Sequence, residues 1–185
     1  MIRRRMMIFD LHGTLVSFEI DYDRLRKELG ANFNSDFTRI MESISKLGEN
    51  DRKAAFAMLD DFELNSLDTL KIKDHARNVL EKARKKDYII CLVTLQGKKP
   101  TSEIMKRLEI SNKFDYVVTR DDVVPRLEQI SRCLKKFNVL GQDTLVIGDK
   151  AHDYHSASTL QCKAYLVRRE GGIPFMSLGE LQEII

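Results

Sequence analysis

Apolar and polar positions along the chain follow two rhythms. Residues 6–9 (MMIF) are uninterrupted apolar side chains, which predicts a short strand buried on both faces, and Asp10 stands where it ends. From Val16 to about residue 86 the spacing is helical. Phe37, Ile40, Met41, Ile44 and Leu47 form one stripe, behind the candidate caps Asn34, Ser35 and Asp36. Ala55, Met58, Leu59 and Phe62 form a second, after a break at Gly48-Glu49-Asn50, and Ala76, Val79, Leu80 and Ala83 form a third. From Tyr88 the rhythm changes to short β-rich runs at 88–94, 114–119, 144–149 and 164–167. Helical spacing fills the gaps, with a helix starting near Thr101, another carrying Leu127, Ile130, Leu134 and Phe137, and a third over 151–160. Ser177 and Glu180 have capping-box spacing before a last short helix.

Strands alternating with helices predict right-handed crossovers and an α/β fold with a mostly parallel sheet. The stretch 17–75 carries helical stripes and no strand pattern. It predicts an all-helical insertion after the first strand, with the core formed by 1–16 and 76–185.

Composition narrows the function classes. Among 185 residues, 43% are apolar, enough for a core and too many for disorder. Lys and Arg number 31 against 28 Asp and Glu, a balance that argues against a nucleic-acid partner, and Arg3-Arg4-Arg5 reads as a solvated leader. Cys91, Cys133 and Cys162 are odd in number and far apart, without CxxC spacing, which predicts reduced, partly buried thiols and a cytoplasmic setting. No signal-peptide pattern or long apolar span is seen, so no membrane partner is expected.

The candidate chemistry lies just past the predicted strands. Asp10, Thr94, the segment near Arg126, and Asp149 with Asp153 all follow strands that share one carboxyl edge, where open α/β sheets place ligands. The alternative that Asp10 and Gly13 make only a turn is the weaker reading of this stretch, and it weakens further beside the second acidic cluster, LVIGDKAHD at 145–153. Two or three carboxylates there repel unless a cation sits among them, and oxygen-only ligands suit Mg²⁺ better than Zn²⁺. Thr94 can hold an anionic oxygen and a basic side chain can balance its charge. Together these groups describe a phosphoryl-transfer site. His152 and His155, three apart on a helix, read as surface residues rather than zinc ligands, and Asp121-Asp122 as a turn.

This arrangement resembles the haloacid dehalogenase superfamily of phosphohydrolases over essentially the whole chain. FDLHGTLV is similar to the family's first motif, DxDGT; LVTLQG to the second, a strand ending in Thr or Ser; IGDKAHD to the fourth, GDxxxD; and TRDDVVPRLEQ to the run around the third, which normally carries a Lys. The resemblance implies a Rossmann-like, doubly wound core, a helical cap at 17–75, and Mg²⁺-dependent hydrolysis of a small phosphorylated metabolite, in the manner of phosphoglycolate phosphatases. It implies Asp10 as nucleophile and Mg²⁺ ligand, Asp149 as ligand, Asp153 as direct or water-mediated ligand, and a backbone carbonyl at His12 on the metal. Thr94 would hold a phosphoryl oxygen, Gly13 and Thr14 would shape the loop, and Leu95 and Gln96 would line the substrate site. A monomer or homodimer is expected.

Two positions depart from the pattern. His12 stands where the phosphatases carry a second Asp, the general acid/base, and a histidine can do that work or stand by. Aligning PRLEQ with PRLKP puts Glu128 at the lysine position, leaving Arg126, Lys98 and Lys99 as substitute cations. These departures keep open a binding protein with weak or no hydrolase activity. A dehalogenase is a third reading, disfavoured because those enzymes work without a metal, whereas the metal-type acids are kept here.

Overall fold

A computed structural model describes residues 4–185. Arg3 of the basic cluster lies outside the described residues. Arg5 is more than a solvated leader, because its guanidinium lies 4.3 Å from the centre of the Tyr88 ring.

The core is one parallel sheet. β1 (Met6–Asp10) is central, flanked by β4 (Ile89–Val93) and β6 (Thr144–Gly148), with β5 (Tyr116–Val118) and β7 (Lys163–Leu166) at the edges, in the order β5-β4-β1-β6-β7. Every pairing in it is parallel. All five residues of β1 are buried, as the apolar run requires. Strand geometry sends alternate side chains to opposite faces, and the two apolar clusters follow that alternation. Met7, Phe9, Leu92 and Ile147 pack with α4 (Ala76–Lys85), α5 (Lys98–Arg107) and α8 (Leu178–Ile184). Met6, Ile8, Cys91 and Val146 pack with α6 (Arg126–Phe137) and α7 (Ala151–Thr159) on the other face. The sheet is thus doubly wound. All three cysteines are buried and free.

Between β1 and β4 the chain leaves the sheet. α1 (Tyr22–Phe33), α2 (Ile40–Ser45) and α3 (Glu49–Asn65) enclose their own cluster of Leu25, Leu29, Phe37, Ile44, Ala55 and Leu59. The expectation of no strand here needs correcting at both ends. β2 (Val16–Ser17) pairs antiparallel with β3 (Lys71–Ile72), closing the two chain crossings into a ribbon too short to show a period in the sequence. Phe18 and Leu67, inside 17–75, pack with the sheet cluster rather than with the inserted helices. The expected caps also move. Asn34 ends α1 in the left-handed conformation, and Asp36 accepts from the backbone N–H of Thr38, so neither starts α2. The Ser177–Glu180 capping box is formed as the spacing predicts. No helix among the described residues is long and apolar enough to cross a membrane.

Because β1 is buried on both faces, Ile8→Ala is expected to cost about 2–5 kcal/mol in urea unfolding. Leu140→Ala, at a residue 61% exposed, should change stability by less than about 0.5 kcal/mol. Equal losses at the two positions would contradict the two-sided burial.

Candidate functional site

The parallel register fixes the site. Asp10 ends β1 opposite Val93 of β4, and Asp149 directly follows β6 on the other side, so both acids and Thr94 emerge at one edge. After Asp10 the chain turns tightly: the Leu11 carbonyl accepts from the N–H groups of Thr14, Leu15 and Val16. Gly13 has φ +91°, and a Cβ there would run into the Asp149 carboxylate, so the turn needs glycine on both counts. Lys73, beside β3, donates to the Gly13 carbonyl.

Arg126 is the buried cation among these acids; Arg168, half exposed, donates to the Asp149 carbonyl and stands 3.7 Å from Asp149 Oδ2. Arg126 is the first residue of α6 and is buried. Its Nη2 donates to Asp10 Oδ1 at 2.6 Å, its Nη1 to Gln129 Oε1 at 2.7 Å, and its Nε stands 2.8 Å from Asp153 Oδ1 as an ion pair. Gln129 is held in turn by donating to the Thr94 and Val123 carbonyls. Glu128 does not occupy the position expected of it: it is exposed on α6, so no repulsive carboxylate enters the crevice. The helical period separates the two residues, since 126, 129, 130 and 133 share the buried face. Lys98 and Lys99 are also exposed, at the start of α5.

The remaining acids divide by role. Thr14 Oγ1 donates to Asp10 Oδ2 at 3.3 Å. Burial, with Asp153 and Asp149 near, raises the Asp10 carboxyl to about 7 although Arg126 opposes the shift. Burial also raises Asp149, against the pull of Lys150. Asp153 Oδ2 accepts from the N–H groups of Asp149 and Lys150 at 3.2 Å each, capping α7. With Oδ1 facing Arg126, Asp153 holds other groups in place rather than offering a free oxygen.

Among the described residues no group of three or more His, Cys, Asp or Glu is arranged as a metal cluster. A hard cation needs less. Mg²⁺ keeps several waters and binds through one or two carboxylates. Asp10 and Asp149 both line the cavity, and their carboxylate oxygens match that donor set.

His12 also lines the cavity. Its Nε2 lies 2.9 Å from the Phe18 carbonyl and its ring packs on Phe18 at 4.4 Å. A carbonyl only accepts, so Nε2 carries the hydrogen and Nδ1 is the nitrogen left to exchange a proton. Burial lowers the His12 pKa from its ordinary value. Thr94 is buried, and Gln96 folds back on it: the Gln96 N–H donates to Thr94 Oγ1 at 3.2 Å, while Gln96 Nε2 is buried without a partner.

The cavity has a volume of about 430 Å³. Its floor is Asp10, His12, Thr94, Leu95, Gln96, Arg126 and Asp149, and its roof comes from the insertion: Tyr22, Arg26, Ile40, Met41, Leu59 and Glu63. Sequence reasoning missed the roof, because the stripes that contain Ile40, Met41 and Leu59 look the same whether they face a core or a cavity. It also placed His152 on the surface. That residue is half-buried in the cavity wall with Nε2 3.4 Å from Asp153 Oδ1, while His155 is exposed as expected.

Residues 7–167 match the family described as haloacid dehalogenase-like hydrolase. The sequence is 28% identical over 159 residues to a glyceraldehyde 3-phosphate phosphatase of Pyrococcus abyssi, covering 82% of this chain and 66% of that protein. It is 22% identical over 163 residues to the pyrophosphatase PpaX of Oceanobacillus iheyensis, covering 80% and 76%. The chain spans just under two thirds of the length of the archaeal relative. In fold it is similar to a HAD phosphatase from Thermococcus onnurineus (TM-score 0.68, 19% identity, 97% of each chain). It is likewise similar to a HAD-superfamily hydrolase from Ehrlichia chaffeensis (TM-score 0.65, 19% identity, 99% and 97%).

The raised Asp10 pKa has a consequence for stability. Its carboxyl ionises near 3.8 when unfolded and near 7 when folded, so the folded state holds the extra proton between those values and stability falls as pH rises through them. An asparagine cannot ionise. Metal-free Asp10→Asn should therefore gain stability relative to wild type between about pH 4 and pH 8 in thermal unfolding with chelator. A gap independent of pH would show that the carboxylate is not disfavoured by its burial.

Proposed function

The chain belongs to the haloacid dehalogenase-like hydrolases, and on that footing we propose that it is an Mg²⁺-dependent phosphatase of a small phosphorylated metabolite, working through an aspartyl-phosphate. The observation that carries this reading is Asp10 itself: a buried carboxylate at the end of the central strand, lining a cavity and paired with a buried guanidinium. The names of the relatives, both phosphate-releasing enzymes, point the same way.

In this reading a carboxylate oxygen of Asp10 attacks phosphorus. The new O–P bond forms as the ester P–O bond breaks, and the leaving oxygen takes a proton from His12 Nδ1. Water then attacks phosphorus and gives its proton back to His12, and the acyl-phosphate P–O bond breaks to free phosphate. Arg126 fixes the orientation of the nucleophile and balances charge. Thr94 Oγ1 and the unpartnered Gln96 Nε2 are the donors for phosphoryl oxygens, with Leu95 between them. Gly13 and Thr14 hold the loop. Mg²⁺, held by Asp10, Asp149 and the His12 carbonyl with Asp153 behind them, would neutralise phosphoryl oxygens. The inserted helices serve as the cap, and the cavity they roof is small-molecule sized.

One observation favours a second reading, a binding protein with little turnover. His12 is a single residue held by the Phe18 carbonyl, and burial disfavours its charged, proton-giving form.

Against a panel of phosphorylated metabolites with and without Mg²⁺, hydrolysis should appear only with the metal, and Asp10→Asn should lose roughly 10³-fold or more. Near wild-type turnover in Asp10→Asn removes the mechanism.

If His12 gives the proton, His12→Ala loses roughly 10²–10⁴-fold. Its protonated form is then the active one, and because its pKa is lowered from 6.5, the ratio of wild-type to His12→Ala activity, in which the titration of Asp10 cancels, should rise as pH falls through a value below 6.5. A pH profile identical in His12→Ala would assign the leaving group no help from this residue.

A further inference from the structure

Behind the cavity wall formed by Glu63 lies a buried charged cluster to which the reaction above gives no role. α3 carries Asp60 and Glu63 one turn apart, and both meet Arg120, which follows β5. The Arg120 side chain has no exposure. Its Nη1 donates to Glu63 Oε1 at 2.7 Å and to the Leu95 carbonyl at 2.8 Å, its Nη2 donates to Asp60, and its guanidinium lies 5.6 Å from the centre of the Phe56 ring. Glu63 Oε2 accepts from the Gly97 N–H at 3.3 Å, and the backbone N–H of Arg120 donates to the Gln96 carbonyl at 3.2 Å. The neighbouring Asp121 accepts from the Lys98 N–H at 2.7 Å. A Cβ on Gly97 would strike the Asp60 carboxylate and crowd the Arg120 guanidinium.

These bonds converge on Leu95, Gln96 and Gly97, the three residues directly after Thr94. Stability alone does not account for the arrangement. Removing three charges from water is costly, and an apolar contact of similar volume would dock α3 at least as well. Burial raises Glu63 to about 7 even with Arg120 beside it, so the cluster is not arranged for maximal stability. What a guanidinium adds is direction, because its rigid fork fixes two carboxylates and a carbonyl at once.

We propose that Arg120 is a positioning residue: it clasps α3 of the insertion to the Leu95–Gly97 loop, so that Thr94 and Gln96 are set for the substrate's anionic group only while the inserted helices are docked. The proposal rests on the phosphatase reading for the identity of that anion, and on the geometry alone for the clasp.

The test uses the full chain, with amide hydrogen exchange and titration with inorganic phosphate. Arg120→Met should raise exchange at residues 95–98 and in α3 by at least about 10-fold while β1 and β6 stay protected, and weaken phosphate binding by about 10-fold. Arg120→Lys should restore part of both. Where turnover is measurable, KM should rise more than kcat falls. Unchanged exchange at 95–98 overturns the clasp. So does protection lost equally from β1 and β6, which marks Arg120 as merely structural, and so does phosphate affinity that survives a loosened loop. If Arg120→Met does not fold, Arg120→Lys and Glu63→Gln should give the same local pattern at smaller amplitude, and a flat response in both overturns the proposal. A wild type that binds no phosphate and hydrolyses no ester defeats the phosphatase reading, while exchange at 95–98 still decides the clasp.

Discussion

Three carboxylates and one guanidinium share a buried space at the sheet edge, and much of the molecule follows from keeping them there. Asp10, Asp149 and Asp153 come together because β1 and β6 are parallel neighbours ending at the same level. Arg126 reaches Asp10 and Asp153, yet burial still pushes Asp10 and Asp149 up. Arg126 is the cation buried with them, while Arg168, half exposed, stands 3.7 Å from Asp149 Oδ2, so the buried side of the edge stays short of positive charge. That deficit explains the supporting detail around it: Gln129 steadies the guanidinium, Asp153 is spent on the α7 N-terminus, and Gly13 leaves room beside Asp149.

The same economy governs the join between the insertion and the core. The inserted helices have their own apolar cluster, and they join the sheet through the short crossings at β2 and β3 and an apolar seam of Phe18, Leu64 and Leu67. Polar contacts add to that apolar seam. Those contacts fall on the loops after β4 and β5, where the site's own residues lie.

The sequence made the sheet legible because parallel strands buried on both faces must be continuous apolar runs. Residues 6–9 and 88–94 therefore ended at Asp10 and Thr94 without ambiguity. Arg126 was named from the sequence as a substitute cation, but the motif alignment also put Glu128 in the crevice, which the buried spacing of Arg126, Gln129, Ile130 and Cys133 rules out. α1 shows only Leu25 and Leu29 as buried residues among charged neighbours, too few for a visible stripe. β2 and β3 have two residues each, too short for any period. Arg120, Asp60 and Glu63 carried no local signal, because their meaning lies wholly in contacts made across about sixty residues of chain.

The central place of β1 also bears on how the protein is made. Its five residues are buried when folded, and its partners lie in 89–93 and 144–147. Chains are synthesised from the amino end at about 5–20 residues per second, so the about 80 residues between Asp10 and Ile89 take roughly 4–16 s to appear. Throughout that interval MMIF is an apolar strand with two open hydrogen-bonding edges, the form most ready to pair with another nascent chain. The helices of 22–65 emerge in this window and can form locally, but they offer no strand edge. Translation speed across the insertion therefore sets how long both edges of the central strand stay open together.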